Sequence, residues 1–414
     1  MPLLVGCEDL QAGMRLAEPF EWAGATMLPA GKVLASEDVA VMRRKYPDVA
    51  LRVGDPVLDS LAEFQDDSRD REVAEAARKR IAASMAEVQQ RFTAHASLGG
   101  VNFEIVKSAA IAVLEFLRDN PVSAALLEQH GGGAMSPLAE HAGGVFYLSL
   151  VLGAAVRDYV VKERVRQSSA APLSPTIALN LLPLGLGAMF MDVGMYELAH
   201  MLEPGYVLTE ADRKALREHP ARGAEMLPDN LPGGVKTVVR THHENYDATG
   251  YPSRTEGQKL HVFTRIVRIC DAFVAATSPR AYRTAKSPAR AIWEMRHGPW
   301  RHCYDPVLMR VFTSLIHPFP IGAKVILHDG RGAVVVKCCR TDPFEPTVIV
   351  AFDADGSRLP KLQMLGPIRL GEESGLRAQR FAGEDLSYLY GDAPPAAAVP
   401  PPEMFETVFA AMYP

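Results

Sequence analysis

Cysteine and net positive charge are both scarce in this sequence. Its 414 residues include only five cysteines, scattered along the chain without the paired spacing of a zinc finger. An odd, scattered set of thiols is typical of a reducing compartment, so we expect free cysteines and a cytoplasmic protein. The formal net charge of −5 gives no electrostatic basis for binding nucleic acid.

A secretion signal and an uninterrupted membrane span are also missing. The first nine residues, Met1–Asp9, have no basic region and turn acidic early, unlike a signal peptide. Of two uncharged runs, Ala142–Val156 is too short to cross a bilayer, and residues 167–191 are interrupted by three prolines and Asn180. Both runs are better interpreted as buried core helices, and we expect no membrane span.

Apolar residues make up 48% of the chain, which is enough for two or three domains with buried cores. Short alternating segments between Gly and Pro turns predict a small β-rich module at residues 1–57. Residues 58–98 place apolar side chains every three or four positions among many charges, which predicts one long amphipathic connector helix. This helix either packs on the next domain or forms a homodimer contact that transmits a signal.

The rest of the chain divides into a helical region, a second β-rich module and a tail. Residues 99–318 repeat apolar side chains at helical spacing, which predicts a helical bundle. Residues 319–372 contain segments of alternating apolar and polar residues, separated by Gly and Asp turns, which predicts a small β-barrel-like module. Residues 373–414 predict a tail, in which a Pro/Ala-rich linker precedes a short apolar stripe that docks on this chain or on a partner. The fold class is therefore mainly α, with small β-rich modules on both sides.

The richest stretch of chemically active residues is T-H-H-E-N-Y-D-A-T-G-Y-P at 241–252. Val235, Val238 and Val239 lie before it at helical spacing, and His242 continues the same stripe. The buried face of a predicted helix therefore ends in an imidazole, with His243 next to it.

A turn follows these histidines. Gly250 is free to adopt a positive φ, and Pro252 cannot continue a helix. Two histidines at the inner end of a helix, closed by a rigid turn, predict a metal site. A zincin motif is excluded, because it needs a second histidine where Asp247 stands.

Four more ionisable residues lie in the same helical region. Ser136 and Pro137 predict a helix start, with His141 in its first turns. Thr209 predicts the cap of a charged helix over 210–218, which His219-Pro220 would end. The other two residues are carboxylates in otherwise apolar helices: Asp192 and Asp271.

A buried carboxylate costs several kcal/mol unless a cation or donor groups compensate it. For any one of these histidines, a hydrogen bond to a backbone carbonyl is enough to explain why it is buried. A shared pair of divalent cations explains all six residues together, with imidazoles as terminal ligands and a carboxylate as a bridge.

The segment 242–252 resembles the signature of the HD-GYP family of the HD metal-dependent phosphohydrolases. The similarity extends over most of residues 125–295, and residues 1–55 and 319–370 resemble modules that often flank the family domain. The resemblance implies an HD-type helical bundle that hydrolyses cyclic di-GMP at two or three metal ions, commonly iron or manganese.

The resemblance also implies a role for each residue of the site. One ion would be held by Asp192, His219, His242 and His243. The other would be held by His141, Asp192, Asp271 and a histidine at the position of Met191. Asp192 and Asp271 are the implied catalytic carboxylates, and the implied contacts to the nucleotide are Tyr251, Arg280 and Arg283.

This chain departs from the family at several of these positions. Met191 is a soft, neutral ligand that suits a hard divalent cation poorly. Met195 replaces a lysine that contacts phosphate, and Pro137 stands where some members have a glutamate for a third ion. Ala248 replaces the usual glycine of the signature. We therefore expect one intact metal site and one weakened site.

These residues predict a protein that binds cyclic di-GMP at a metal site and hydrolyses it weakly or not at all. One alternative is a fully active phosphodiesterase, because substrate and water could complete the weakened site. Another is a non-catalytic module, in which the Gly250–Pro252 surface docks a partner such as a diguanylate cyclase-type protein.

Overall fold

The computed structural model describes residues 2–22, 25–47, 49–54, 83, 86, 107–108, 110–115, 136–168, 173–202, 206, 209–278, 285–339, 342–371 and 374–391. The predicted connector helix 58–98 lies outside these residues apart from Ala83 and Ala86, and with it the predicted dimer contact. The apolar stripe near the end of the predicted tail also lies outside them.

The N-terminal residues form β-structure, as predicted. One antiparallel sheet has the order β1-β5-β2, from β1 (Leu3–Gly6), β2 (Arg15–Leu16) and β5 (Ala50–Gly54). Strands β3 (Phe20–Trp22) and β4 (Ala25–Leu28) form a separate antiparallel pair. Helix α1 (Ser36–Lys45) buries Val39 and Met42 in the core of this module.

The centre of the chain is helical, which confirms the mainly α fold class. In chain order, the helices whose ends both lie within the described residues are α2 (Pro137–Ala155), α3 (Arg157–Gln167), α4 (Pro175–Ala178), α5 (Leu182–Phe190), α6 (Glu210–Met226), α7 (Val235–Thr241), α8 (Val262–Thr277), α9 (Pro288–His297) and α10 (Pro306–Leu315). Within the described part of this region, three 3-10 segments lie between the helices, at Val193–Leu202, Gly257–Lys259 and Pro299–Cys303.

Helices α2, α5 and α8 pack together in the middle of this region. Their facing side chains, such as Phe146, Phe190 and Ile266, are fully buried in one apolar core. Each buried side chain of this size stabilises the fold by about 1.5–3 kcal/mol. Gly187 on α5 lets α7 approach closely, because a Cβ there would lie 2.7 Å from Cβ of Val238.

Helix α6 does not end at His219-Pro220, so that prediction was wrong. It continues to Met226, with Pro220 in its interior. Pro220 has no N–H to donate to the Leu216 carbonyl. The His219 ring replaces the lost donor, since its Nδ1 lies 2.5 Å from Leu216 O. The predicted cap is confirmed: the Thr209 hydroxyl accepts from the amide of Asp212 at 3.2 Å.

The C-terminal residues form one six-stranded antiparallel sheet in the order β11-β10-β6-β7-β8-β9. Its strands are β6 (Lys324–Leu327), β7 (Gly332–Lys337), β8 (Thr347–Phe352), β9 (Leu365–Arg369), β10 (Ala378–Phe381) and β11 (Glu384–Asp385). The tail predicted from residue 373 therefore begins too early, because β10 pairs with β6 inside the sheet.

The two β-rich modules pack against each other. Leu4 forms a parallel bridge with Ala323, and Val334, Ala351 and Phe352 of the C-terminal sheet are part of the N-terminal core. Two modules at opposite ends of the sequence thus share one apolar core.

The five cysteines, all within the described residues, are thiols rather than disulfides, as predicted. Two described segments, Pro137–Ala155 and Pro175–Met201, have the length and apolar composition of a membrane span. In each of them, 78% of the most apolar 18-residue stretch is buried inside the protein. Buried core helices share these properties, so the segments are weak evidence for a span, and the expected absence of one stays a prediction.

Candidate metal centre

Five parts of the helical region bring the six predicted site residues together. His141 lies on α2, Asp192 follows α5, His219 lies on α6, His242 and His243 follow α7, and Asp271 lies on α8. All six side chains belong to residues that are at most 5% exposed. Residues up to 130 positions apart in the sequence therefore meet at one buried point.

Close backbone packing places Asp192 beside His219. The 3-10 segment that follows Asp192 lies directly on α6, and a Cβ on Gly194 would overlap the carbonyl oxygen of His219. Gly223 on α6 faces the same contact, since a Cβ there would lie 3.2 Å from the Gly194 nitrogen. The two glycines allow this approach because they carry no side chains.

Four of the six residues form a compact donor set. One ligand atom from each of Asp192, His219, His242 and His243 lies within 4.8 Å of the other three. Nε2 of His219 lies 3.2 Å from Nε2 of His242, and these atoms lie 3.4 and 3.6 Å from Asp192 Oδ1. Two ligands of one tetrahedral ion with bonds of about 2.0–2.1 Å are roughly 3.3 Å apart. The donor set therefore fits one divalent cation.

Backbone carbonyls determine which nitrogen of each ring faces this point. Nδ1 of His219 contacts Leu216 O at 2.5 Å, and Nδ1 of His242 contacts Val239 O at 2.8 Å. A carbonyl oxygen only accepts, so each Nδ1 carries the proton. Each Nε2 is then available as a metal ligand, and the carbonyl contact fixes the orientation of its ring.

Burial and charge set the protonation of the donor set. Burial by itself raises the pKa of Asp192, but His219 and His242 outweigh it and hold that pKa well below its ordinary value. Burial, with further contributions from His242, His219 and Arg268, holds the pKa of His243 well below its ordinary value, so its ring is neutral. A neutral imidazole and an ionised carboxylate are the forms that bind metal.

Asp192 also faces the second half of the centre. Its Oδ2 atom lies 3.8 Å from Nε2 of His141, which in turn lies 3.0 Å from Oδ1 of Asp271. Nδ1 of His243 lies 3.8 Å from the other oxygen of Asp271. The two oxygens of Asp192 thus point to different histidine sets, which is the arrangement expected of a bridging carboxylate.

The two methionines belong to apolar surroundings. Met191 is fully buried in the main core. Met195 belongs to a second cluster with Leu138, Leu198, Met201, Leu216 and Ala275. Leu138 and Leu216 lie three positions before His141 and His219, so they are one helical turn from predicted ligands. Apolar side chains therefore border the centre at the position where the resemblance implies a lysine.

The Gly-Tyr-Pro turn covers His243. Tyr251 stacks on the His243 ring with centroids 4.9 Å apart, and its amide donates to His243 O at 3.2 Å. Burial, with a further contribution from Asp271, raises the pKa of Tyr251, so its hydroxyl is a neutral donor. Arg280 and Arg283, the other predicted nucleotide contacts, lie outside the described residues.

Gly250 is required in this turn for a different reason from the predicted one. Its φ is not in the positive range; instead, a Cβ there would overlap the backbone of Asn245 and His243. The positive φ, 65°, belongs to Ala248, where the family has glycine. Pro137 occupies the first position of α2 with Ser136 as its cap, as predicted.

Two buried charged residues near the turn, Glu244 and Arg268, were not predicted to be part of the site. Glu244 accepts hydrogen bonds from the amides of Ser253 and Thr255, at 2.5 and 3.1 Å, and so holds the loop after the turn. Arg268 lies one turn before Asp271 and donates to Asn245 Oδ1 at 2.8 Å. A buried arginine on the apolar stripe of α8 was the available signal for this contact.

Comparison with known proteins agrees with this geometry. Residues 170–308 match the HD domain family. The cyclic di-GMP phosphodiesterase PA4108 of Pseudomonas aeruginosa is 33% identical over 174 residues, which cover 41% of each chain. The cyclic di-GMP phosphodiesterase response regulator RpfG of Xanthomonas campestris is 34% identical over 88 residues, or 20% of this chain and 23% of that protein. The chain carries an HD-GYP-like HD domain.

A third relative has another cyclic dinucleotide in its name. The 3'3'-cGAMP-specific phosphodiesterase 3 of Vibrio cholerae is 33% identical over 110 residues, which cover 25% of this chain and 23% of that protein. The matches to these three relatives span less than half of their lengths. His141 lies before the matched HD residues, yet the structure brings it to the centre of the HD domain.

Proposed function

We propose that this protein binds cyclic di-GMP at a metal centre in its HD domain and hydrolyses it weakly or not at all. The observation that carries the proposal is the pairing of a complete donor set with an incomplete one. Asp192, His219, His242 and His243 converge on one point, whereas Met191 stands in the apolar core where the second set needs a histidine.

The first donor set fits a divalent cation by chemistry as well as by distance. A single proton could join two of its atoms, but a cation satisfies all four. Imidazole suits iron and zinc, and carboxylate suits manganese, so we propose iron or manganese for a set with both. A bound cation would supply positive charge to phosphodiester oxygens and would make nearby water more acidic.

The chain's own residues orient the rings and exclude water around this point. The carbonyls of Leu216 and Val239 hold two imidazoles in place. Tyr251 covers His243 and offers a neutral hydroxyl to a phosphate or guanine edge. The apolar cluster around Met195 keeps water from that side but supplies no positive charge to a phosphate, which favours binding over cleavage.

The substrate class rests on the relatives and on the turn. Both PA4108 and RpfG are named for cyclic di-GMP. We therefore propose a cyclic dinucleotide with two guanines as the ligand, and bacterial second-messenger signalling in the cytoplasm as the process. Docking of a diguanylate cyclase-type partner on the Gly250–Pro252 turn is the alternative that needs no nucleotide.

Calorimetry with cyclic di-GMP, combined with chromatography of the products, tests the proposal. The protein is prepared with Mn²⁺, with Fe²⁺ and after chelation, and 3'3'-cGAMP is measured in parallel. We expect binding that requires metal and little or no linear product. The Asp192→Asn variant should lose this binding, because it removes the charge of the bridging carboxylate.

Each other outcome points away from the proposal. Rapid formation of linear or mononucleotide product would establish a fully active phosphodiesterase. If the protein bound neither dinucleotide, with or without metal, the non-catalytic interaction module would be the remaining interpretation. Preferential binding of 3'3'-cGAMP would keep the metal centre and overturn the assignment of the ligand.

A further inference from the structure

Arg268 lies beside the half of the centre that lacks a histidine. It is on α8, three residues before Asp271, and is only 7% exposed. Its Nη1 atom lies 3.6 Å from Asp271 Oδ2, within ion-pair distance. Neither atom has a hydrogen-bond partner among the described residues. A buried guanidinium thus faces a predicted metal ligand with one nitrogen unused.

The signature segment holds this guanidinium in place. Nε of Arg268 donates to Asn245 Oδ1 at 2.8 Å, and the Asn245 amide donates to the Thr249 hydroxyl at 3.0 Å. The Tyr304 ring lies on another side, with its centroid 5.7 Å from the guanidinium carbon. Arginine keeps its charge throughout the ordinary pH range. Arg268 is therefore a fixed positive charge next to Asp271.

We infer that Arg268 takes the place of a second divalent cation: it neutralises Asp271 and limits the centre to one ion. This inference rests on the proposed metal-dependent function and deepens it. The two carboxylates and the guanidinium sum to one net negative charge, which one divalent cation already overcompensates. A second cation would lie beside the guanidinium in a buried region, where repulsion between like charges is weakly screened.

The test counts ions in the full chain and in charge variants of it. Metal-free protein is dialysed against Mn²⁺, bound manganese is measured, and electron paramagnetic resonance distinguishes isolated ions from coupled pairs. Arg268→Gln removes the charge but keeps an amide donor for Asn245. Arg268→Lys keeps the charge, and Arg240→Gln removes an exposed arginine from α7 as a matched control.

We expect one tightly bound, isolated Mn²⁺ in the wild type, in Arg268→Lys and in Arg240→Gln. Arg268→Gln should bind a second ion at least about tenfold more tightly than the wild type does and should show a coupled pair. Arg268→Met provides the same comparison if Arg268→Gln does not fold.

Two tightly bound ions in the wild type would overturn the inference without any variant. One ion in folded Arg268→Gln or Arg268→Met would also overturn it. If these variants in addition bound the nucleotide more weakly, the result would show that Arg268 contacts the ligand instead. No bound ion in any of these proteins would instead contradict the proposed metal function.

Discussion

Nε2 of His219 and Nε2 of His242 lie 3.2 Å apart, and each ring has its proton on the other nitrogen, against a backbone carbonyl. Two lone pairs at this distance in a buried site need a positive charge between them. Asp192 Oδ1 and a ligand atom of His243 converge on the same point. The four residues are therefore placed so that they could hold one cation, and the predictions below follow from that proposal.

Removing one of these ligands should remove the ion. His242→Gln removes a fully buried imidazole from the donor set. Loss of an outer-shell partner alone weakens metal binding by about 10–100-fold, so loss of a ligand should weaken it by more. Metal analysis after dialysis against Mn²⁺ measures the effect. His200→Gln, on the exposed side of the 3-10 segment, is the control and should keep the ion. Equal metal content in both variants would contradict the donor set.

Restoring the family residues should raise hydrolysis. Met191→His returns an imidazole to the second donor set, and Met195→Lys returns a positive charge near the phosphate. Because Arg268 disfavours a second ion, both changes are made in the Arg268→Gln background. A single electrostatic contact contributes roughly a hundredfold to a rate, so we expect this combined variant to cleave cyclic di-GMP at least about tenfold faster than Arg268→Gln alone. Initial rates by chromatography, with each single variant as control, test this. Unchanged metal content and unchanged rate would show that the mapping of Met191 and Met195 is wrong.

Local sequence patterns predicted most helices and strands and the six candidate ligands. The features that they did not predict depend on contacts between residues far apart in the sequence. The valine stripe that ends at His242 and the Thr209 cap depend on neighbours in the sequence, and both are confirmed. The continuation of α6 through Pro220 depends on the His219 ring, which donates to the Leu216 carbonyl. Helix propensities of single residues do not take such a side-chain donor into account. The role of Arg268 depends on Asn245, which lies 23 positions away. Pairing of β10 with β6 likewise crosses about fifty residues that local patterns do not connect.

Replacing Ala248 by glycine should stabilise the protein. Ala248 has a φ of 65°, a left-handed conformation that costs an alanine about 1–2 kcal/mol and a glycine little. After the entropy cost of glycine, we expect a gain of about 1 kcal/mol in the free energy of unfolding. Urea denaturation measures it. The matched control is Ala211→Gly in the first turns of α6, which should destabilise by up to about 1 kcal/mol. A loss of stability in Ala248→Gly would contradict the strained turn.

A buried ion-pair network should make stability depend on pH. Arg265 Nη2 lies 2.5 Å from Glu163, and its Nη1 lies 2.6 Å from Asp305. Burial raises the pKa of Glu163, but Arg166 and Arg265 outweigh it, so the folded pKa lies below the ordinary 4.5. The network therefore stabilises the protein above about pH 4.5, and this stabilisation is lost as the pH falls through the folded pKa.

Glu163→Gln should lose up to about 3 kcal/mol at pH 7, because it removes one of the two carboxylates that pair with the buried Arg265 and leaves Asp305 as the remaining one. Its stability should also fall less steeply than that of the wild type between about pH 5 and pH 3. Urea denaturation at several pH values checks both expectations. Glu256→Gln, which breaks an exposed pair with Lys259, is the control and should cost less than about 1 kcal/mol. Parallel pH profiles for the wild type and Glu163→Gln would contradict this account.

Anomalous X-ray diffraction from crystals grown with Mn²⁺ tests the central claim most directly. The claim is that Asp192, His219, His242 and His243 hold one ion and that the half of the centre with Met191 and Arg268 holds none. Data collected near the manganese absorption edge should show one strong peak between Asp192 Oδ1 and the Nε2 atoms of His219 and His242. Two peaks bridged by Asp192, or no peak at this position, would contradict it.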